Sequence, residues 1–528
     1  MIAKLRDLRV FLCALCGKKL AKGKPFSYLS SMWNLLTSQQ IRDADAHTIS
    51  SRSISSLELM EAASIAFVKE FVQEVSNKNI PISIYCGTGN NGGDGLAVAR
   101  LLSQDAYSNI HVKIGRFSDK SSPEFVSNLE RLKSTEVRIT ELTEIARPSD
   151  EESEFIIDAL IGSGLNKPVE GNLKKLIDHI NSLHKVVISI DVPSGFPSEG
   201  HIKADATIIK ASLVICFQRP KINFFFPESG RVMERFKVVK IGLDEDYIQS
   251  LPSHWKQVSE EDIKSIVKPR KSFSHKGTYG HALIIAGTQE TMGAALLCAD
   301  ACLHSGAGLT TACIPESGFT ALNTRSPEVM AIARNNFIPI SMLGAFTSIA
   351  VGPGLGTDDE ALLIVRSILS DHNKPVVLDA DALNIIAMKP ELLKHLPAKS
   401  ILTPHMKEFD RMFGVHNSWW DRVETARNKA AELNIIILLK NQYSFIVLPD
   451  KDVLINPTGN PAMAVGGMGD VLTGMITGFL AQGHAPEQAA MIACYLHGKA
   501  GDELRDAGMN SVLPRYLIQK LPSVIASL

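Results

Sequence analysis

At 528 residues the chain is too long for one ordinary hydrophobic core, and length alone implies about two to four domains. Its 45% apolar and 21% charged composition is that of an ordinary globular protein. The 55 Lys and Arg nearly balance the 56 Asp and Glu, so no global basic field exists to hold nucleic acid or an anionic membrane, and neither is an expected partner. An anion site would have to be built from backbone amides and helix ends.

In chain order, residues 1–31 are basic and carry only a short apolar run, Val10 to Cys16, with no small-residue cleavage site after it. They read as an extension, disordered or arising from a misassigned start, with translation beginning at Met32. Cys13 and Cys16 form a lone CxxC without a second pair or a nearby His, so no zinc site is expected. The eight scattered cysteines suit reduced thiols and a cytoplasmic location. No run of about 18 apolar residues marks a transmembrane helix.

Thr37 with Gln40 has the spacing of a capping box, opening a helix through Ile41 and Ala44. Ile80–Cys86 is an apolar, β-branched run ending in glycine, followed by a helical pattern over Leu96–Leu102. Phe155–Ile161 and Val186–Ile190 are further buried-strand runs. Strands alternating with helices predict a parallel sheet covered on both faces, an α/β fold. After Ile241-Gly242-Leu243 the chain turns polar, with Pro252, Pro269 and Lys268-Pro-Arg-Lys271, before a new strand–glycine–helix series starts at Ala282–Ala286. The expected division is an N-terminal domain at 32–245, a linker at 246–261 and a C-terminal domain at 262–528. No internal repeat is visible, so the halves are different α/β folds.

In the N-terminal half, Cys86-Gly-Thr-Gly-Asn-Asn-Gly-Gly-Asp-Gly95 lies between a strand and a helix. Gly87, Gly89 and Gly92 spell the dinucleotide fingerprint, yet the acidic residue expected about 20 positions on is missing from His111-Val-Lys-Ile-Gly-Arg116. Asp158 opens Asp-Ala-Leu-Ile-Gly-Ser-Gly-Leu-Asn, and Asp191 opens Asp-Val-Pro-Ser-Gly. Ligands of doubly wound sheets sit at the carboxyl ends of strands, so Asn91, Asp158, Asp191 and Ser194 are expected to converge.

These three segments, with Leu57-Glu-Leu-Met-Glu61, resemble the signatures of the NAD(P)H-hydrate epimerase family over about Leu36 to Leu243. The resemblance implies a Rossmann-like, three-layer fold. It implies substrate contacts at Asn90, Asn91, Gly92, Gly93 and Asp94, at Gly162, Ser163, Gly164, Leu165, Asn166, Lys167 and Pro168, and at Asp191, the last also expected to be catalytic. It further implies a potassium ion held by Asn91, Asp158 and Ser194, whose hard oxygens suit such a cation. Ser163 stands where the family more often has Thr.

The strongest C-terminal signal is Asn456-Pro-Thr-Gly-Asn-Pro-Ala-Met-Ala-Val-Gly-Gly-Met-Gly-Asp470, running into a helical pattern at Val471–Leu480. Gly466, Gly467 and Gly469 place free amides at a helix N-terminus, where phosphoryl oxygens bind. Asp470 there can take the proton of a hydroxyl about to attack phosphorus. Lys276-Gly-Thr-Tyr-Gly280, Ala350-Val-Gly-Pro-Gly-Leu-Gly356, Val376-Val-Leu-Asp-Ala-Asp-Ala-Leu-Asn384 and Thr403-Pro-His-Met-Lys-Glu408 are the other strand ends and turns, and His405 beside Glu408 reads as a site residue. These motifs resemble the ADP- or ATP-dependent NAD(P)H-hydrate dehydratase family, of ribokinase-like α/β fold, over roughly 265–525. The resemblance implies substrate contacts at Ala294, Gly356, His405 and Asp470. It implies nucleotide contacts at Lys440, Asn441, Gln442, Tyr443, Ser444 and Gly469, with Mg2+ accompanying the ADP or ATP. Asn441 and Gln442 replace the family's usual Gly and small residue, and His-Met-Lys-Glu replaces His-Pro-Gly-Glu.

Together the two resemblances imply a bifunctional metabolite-repair enzyme. It would interconvert the R and S epimers of hydrated NADH and NADPH and dehydrate the S form at the expense of ADP or ATP. Small molecules are the expected partners, and a homo-oligomer the expected assembly. A small-molecule kinase of the same fold competes on the C-terminal motifs alone, and a non-catalytic N-terminal binding module is a second alternative. The fusion of the two sets of motifs disfavours the first, and the Asp158, Asp191 and Ser194 constellation the second.

Overall fold

A computed structural model describes residues 32–117, 120–142, 151–164, 167–334 and 343–528. Among these, the strands assemble into two sheets. The first has seven strands, all parallel, in the spatial order Arg138–Leu142, Ile110–Gly115, Ile82–Cys86, Phe155–Ala159, Val186–Ile190, Ala211–Phe217, Met233–Val239. The order reverses between Ile82–Cys86 and Phe155–Ala159. At such a switch point the loops diverge and leave a crevice above the strand ends. The fully buried runs Ile82–Cys86 and Ile156–Ala159 reflect helices covering both faces.

The second sheet has eleven strands. Its seven parallel strands run from Ile436–Leu439 through Ile401–Leu402, Val377–Leu378, Ser348–Val351, His281–Ile285 and Leu309–Ile314 to Met330–Ala333. The antiparallel Phe445–Val447 and then Val453–Ile455 extend it. Its switch point lies between His281–Ile285 and Ser348–Val351.

The sheet's far edge departs from the expected domain division. Within the stretch expected to be a linker, Trp255–Gln257 forms a strand parallel to Val453–Ile455, and Trp33–Asn34 pairs antiparallel with it. Helices Glu245–Ser250 and Glu260–Ile266 flank that strand. Polar residues and prolines suggested a linker, but Pro252 and Pro269 fall outside the three-residue strand and remove no hydrogen bond from its two ladders. From this edge the chain crosses to the first sheet through helix Ser38–Arg52, opened by the expected Thr37–Gln40 capping box.

Aromatic side chains fuse the two halves. Phe226 lies 5.0 Å from Phe445, 5.5 Å from Trp420 and 5.8 Å from Trp255, ring centre to ring centre, and Phe225 meets Tyr443 edge-on at 5.2 Å. Six cysteines, Cys86, Cys216, Cys298, Cys302, Cys313 and Cys494, are buried free thiols. Cys13 and Cys16 lie outside the described residues. Among the described residues no helix is long and apolar enough to cross a membrane.

Candidate functional site

Above the switch point of the first sheet opens a cavity of about 620 Å³. Its floor is the turn after Ile82–Cys86, which only glycine can make. A Cβ on Gly92 would sit 1.8 Å from the Gly87 carbonyl oxygen, and one on Gly87 would sit 2.1 Å from that of Leu160. The helix starts inside this turn, at Asn90 rather than Leu96, with Gly89 as a cap that supplies no side-chain bond. Its first amides therefore face the cavity with the positive end of the helix dipole.

Asn90, Asn91, Asp94, Gly162, Ser163, Gly164 and Asp191 line this cavity, as expected. Gly92 and Gly93 are buried in the first helical turn, where a Cβ would meet the Gly87 carbonyl and the Met60 sulfur respectively, and do not line it. Lys167 and Pro168 are exposed and not on its wall, and Leu165 and Asn166 lie outside the described residues. Asp158 and Ser194 sit beneath the floor, both with 0% exposure. The Asp158 carboxylate accepts from the Ser194 hydroxyl at 2.5 Å, the Ser194 amide at 2.8 Å, the Ser189 hydroxyl at 2.8 Å and the Leu160 amide at 3.3 Å. Burial holds it above the usual carboxylate range despite these donors, and no cation of the described residues is paired with it. Asn91 has a buried, unpartnered Nδ2 nearby, its side chain against Gly162. The buried, uncompensated Asp158 carboxylate leaves a deficit of positive charge beneath the floor.

Asp191 follows its strand in a left-handed conformation, φ 64°, strain that a non-glycine residue adopts only where its surroundings impose it. Its Oδ1 accepts from the Lys221 ammonium at 2.7 Å and the Phe217 amide at 3.0 Å. Lys221 is 1% exposed. Burial alone would lower its ammonium, but Asp191 and then Cys216 carry it above the usual lysine range. Asp94 is pushed well up by burial, then by Asp191 and Asp45. Asp45, from helix Ser38–Arg52, joins this acidic cluster on the cavity wall. Lys221 and Asp45 stand outside the motifs that drew attention to this half. A lone Lys in Arg-Pro-Lys-Ile and an Asp within a polar helix carry no local signal of a site.

The second cavity, also about 620 Å³, opens at the carboxyl ends of the other sheet's strands. Helix Met468–Ala481 begins at its edge behind Gly467, whose φ of 93° suits glycine alone and whose Cβ would strike Leu297 at 2.8 Å. Asp470 in its first turn is raised to about 7 by burial, then by Asp379, against the pull of Lys440. Its carboxylate receives no hydrogen bond from the described residues. Lys440 donates to Asp379 at 2.7 Å, and Asp379 also accepts from Thr473 at 2.8 Å. A Cβ on Gly469 would lie 3.3 Å from the Lys440 ammonium, so that glycine leaves room for the cation beside Asp470. Asp379 was legible only as one of several polar residues in its strand-end run.

His405, Lys440, Asn441, Gln442, Ser444, Gly469 and Asp470 share this cavity. His405 caps helix Met406–Phe413: its Nδ1 accepts from the Lys407 amide at 3.0 Å and the Glu408 amide at 3.3 Å. The remaining Nε2 therefore carries the ring proton. Burial lowers the imidazole, with Glu408 opposing. Ala294 and Gly356 are not on the cavity wall. They belong to the neighbouring strand ends, where Gly356 donates to Asp381 at 2.9 Å and Thr291 to the Gly354 carbonyl at 2.6 Å. Tyr443 is not on the cavity wall, and its ring packs on Phe225 and Phe236 of the other half.

A doubly wound domain with an acidic, lysine-paired crevice, followed by a second α/β domain with an Asp at a glycine-rich helix start, defines a two-site α/β enzyme. The family model described as NAD(P)H-hydrate dehydratase matches residues 282–523, and that described as YjeF-related protein N-terminus matches residues 56–223. The bifunctional NAD(P)H-hydrate repair enzyme Nnr of Moorella thermoacetica is 32% identical over 518 residues, covering 94% of this chain and 97% of that protein. The Escherichia coli protein of the same name is 31% identical over 445 residues, 84% of each chain. Among solved structures, an ADP/ATP-dependent NAD(P)H-hydrate dehydratase from Bacillus subtilis, co-crystallised with ATP and Mg2+, is 35% identical over 51% of this chain and 97% of that chain, with a TM-score of 0.46. The chain belongs to the family of bifunctional NAD(P)H-hydrate repair enzymes.

Proposed function

We propose that the two cavities catalyse successive steps of one repair: the first epimerises hydrated NADH and NADPH, and the second dehydrates the S epimer using ADP or ATP. The observation that carries the reading is Asp470, an unengaged carboxylate at a glycine-rich helix start, in the same chain as the Asp191–Lys221 crevice. Family membership over nearly the whole chain supports both halves.

In the second cavity Asp470 takes the proton of the hydroxyl on the ring carbon next to the nicotinamide nitrogen. The oxygen attacks the terminal phosphorus of the nucleotide, and amides at the start of helix Met468–Ala481 stabilise the charge that develops. The ring nitrogen's lone pair then expels phosphate, and loss of the adjacent ring proton restores the dihydropyridine. Lys440, fixed by Asp379, supplies positive charge beside the phosphoryl group. Mg2+ would arrive on the nucleotide phosphates, whose charge it neutralises. His405 and Gly469 position substrate and nucleotide, while Asn441, Gln442 and Ser444 line the nucleotide side.

In the first cavity Asn90, Asn91, Asp94, Gly162 to Gly164 and Asp191 hold the hydrate, with Lys221 pairing with Asp191. A potassium ion at Asn91, Asp158 and Ser194 would neutralise the buried Asp158 and stiffen the floor. The buried free cysteines agree with a reducing cytoplasm.

The test is to incubate the full chain with mixed epimers of hydrated NADH, with and without ADP or ATP, separating the epimers chromatographically. Interconversion without nucleotide, and full recovery of NADH only with it, is expected. Phosphorylation of a small alcohol with no action on the hydrate would replace this reading by a kinase.

A further inference from the structure

We propose that Asp45 is the proton donor of the epimerase and works opposite Asp191 as the base. This rests on the reading of the first cavity as the epimerase site.

The hydrated ring carbon bears both a hydroxyl and the ring nitrogen, so it is a hemiaminal and can be inverted by opening the ring. The hydroxyl proton passes to a base and the carbon–nitrogen bond breaks. Its electron pair stays on nitrogen, which takes a proton from an acid, and the carbon becomes an aldehyde. Rotation about the adjacent carbon–carbon bond presents the other face. Closure reverses each transfer: nitrogen attacks the carbonyl carbon, its proton returns to the acid, and the oxygen recovers its proton from the base. No oxidant, metal or water is consumed, and both groups end as they began. The cycle demands one ionised and one protonated group in the same cavity at the same time.

The cavity holds two carboxyls dressed in these opposite ways. Asp191 is paired with Lys221 at 2.7 Å and accepts the Phe217 amide at 3.0 Å, both at Oδ1, which leaves Oδ2 for the substrate hydroxyl. Asp45 lines the same cavity, half-buried, and no donor of the described residues hydrogen-bonds it. The charged groups around it on the cavity wall are Asp94, Asp191, Lys221, Arg219, Lys120 and, on its own helix, Arg42. Burial and then Asp191 push its carboxyl up to about 6, with Lys221 opposing. One carboxyl held by a buried ammonium and one free of any donor among the described residues, on the wall of the same cavity, assign base and acid. Asp94 lies on the same wall and is also pushed up by burial, then by Asp191 and Asp45, so it is the competing donor that the Asp45 variants must be read against.

The test compares Asp45→Asn, Asp45→Glu and Asp191→Asn in the full-length chain, following one purified epimer of hydrated NADH by chromatography without nucleotide. Asp45→Asn is expected to lower kcat about 100-fold or more, with KM changed less than about threefold, and Asp45→Glu to keep part of the rate. Wild-type kcat/KM should fall about tenfold per pH unit above pH 6, as the acid form is lost, and Asp45→Asn should lose that dependence. Unchanged nucleotide-dependent dehydration by each variant reports an intact fold. An Asp45→Asn rate within about threefold of wild type, with Asp191→Asn inactive, overturns the proposal while the cavity reading stands. Full epimerisation by Asp191→Asn as well removes both.

Discussion

In the proposed mechanism the dehydratase chemistry turns on Asp470, and its surroundings set a pH signature. A base must be ionised, and burial with Asp379 raises this carboxyl to about 7. Dehydration kcat/KM should therefore climb about tenfold per unit below pH 7 and level off above it, when measured with saturating nucleotide. Asp470→Asn should cut dehydration by about two to four orders of magnitude and leave epimerisation intact. Near-normal dehydration by that variant would exclude the carboxylate as base. In the other half, Lys221→Met strips the ammonium from a buried pair and leaves the Asp191 carboxylate uncompensated. Breaking such a pair costs about 3–5 kcal/mol, to be read by denaturant unfolding, and epimerisation should fall with it. Asp470 and Asp191 were legible because each stands in an unusual glycine- or proline-bounded run. Lys221, Asp45 and Asp379 were not, because a single charged residue shows its role only when the topology brings it to a cavity.

The glycine-rich turn shows how an element is imposed by close approach of backbone to backbone. Its composition announced a strand-to-helix turn, but helical periodicity placed the helix start at Leu96, six residues after the true start at Asn90. Apolar spacing cannot mark a first turn built from Asn and Gly. Its position is set instead by Gly92 lying over the Gly87 carbonyl. Gly92→Ala would put a methyl carbon 1.8 Å from that oxygen, and the backbone must move. Such overpacking costs about 1–3 kcal/mol or more. The variant should lose epimerisation as the Asn90–Asp94 amides shift, while dehydration by the same chain persists, which a paired assay of the two activities measures. Loss of both activities would show that the turn supports the whole fold and not one cavity.

At the scale of the molecule, each half uses chain from beyond its expected boundary. The alternation of strands and helices revealed two α/β sheets from sequence, but the pairing of Trp255–Gln257 with segments near residues 33 and 454 was hidden, because strand partners far apart leave no local trace. The consequence is testable by division. A fragment 262–528 lacks Trp255–Gln257, leaving the apolar Val453–Ile455 as a bare edge with unpaired backbone groups. It also loses Trp255 from the cluster with Trp420. A fragment 252–528 keeps both, and it should be soluble and dehydrate the S hydrate, whereas 262–528 should melt several degrees lower or aggregate. The N-terminal fragment has the same requirement at its other end. Ile248 packs with Leu36, Ala44, Leu59 and Leu243 and lines the epimerase cavity, so a chain ending at 245 severs helix Glu245–Ser250 and unroofs the site. Fragment 32–251 should therefore retain more epimerase activity than 32–245. Because Phe225 and Phe226 lose their cover of Tyr443, Trp420 and Phe445 in either, both should be less stable than the N-terminal half within the intact chain. Equal melting temperatures for 252–528 and 262–528 would show that the added edge strands are ornamental and that the polar stretch behaves as a simple linker after all.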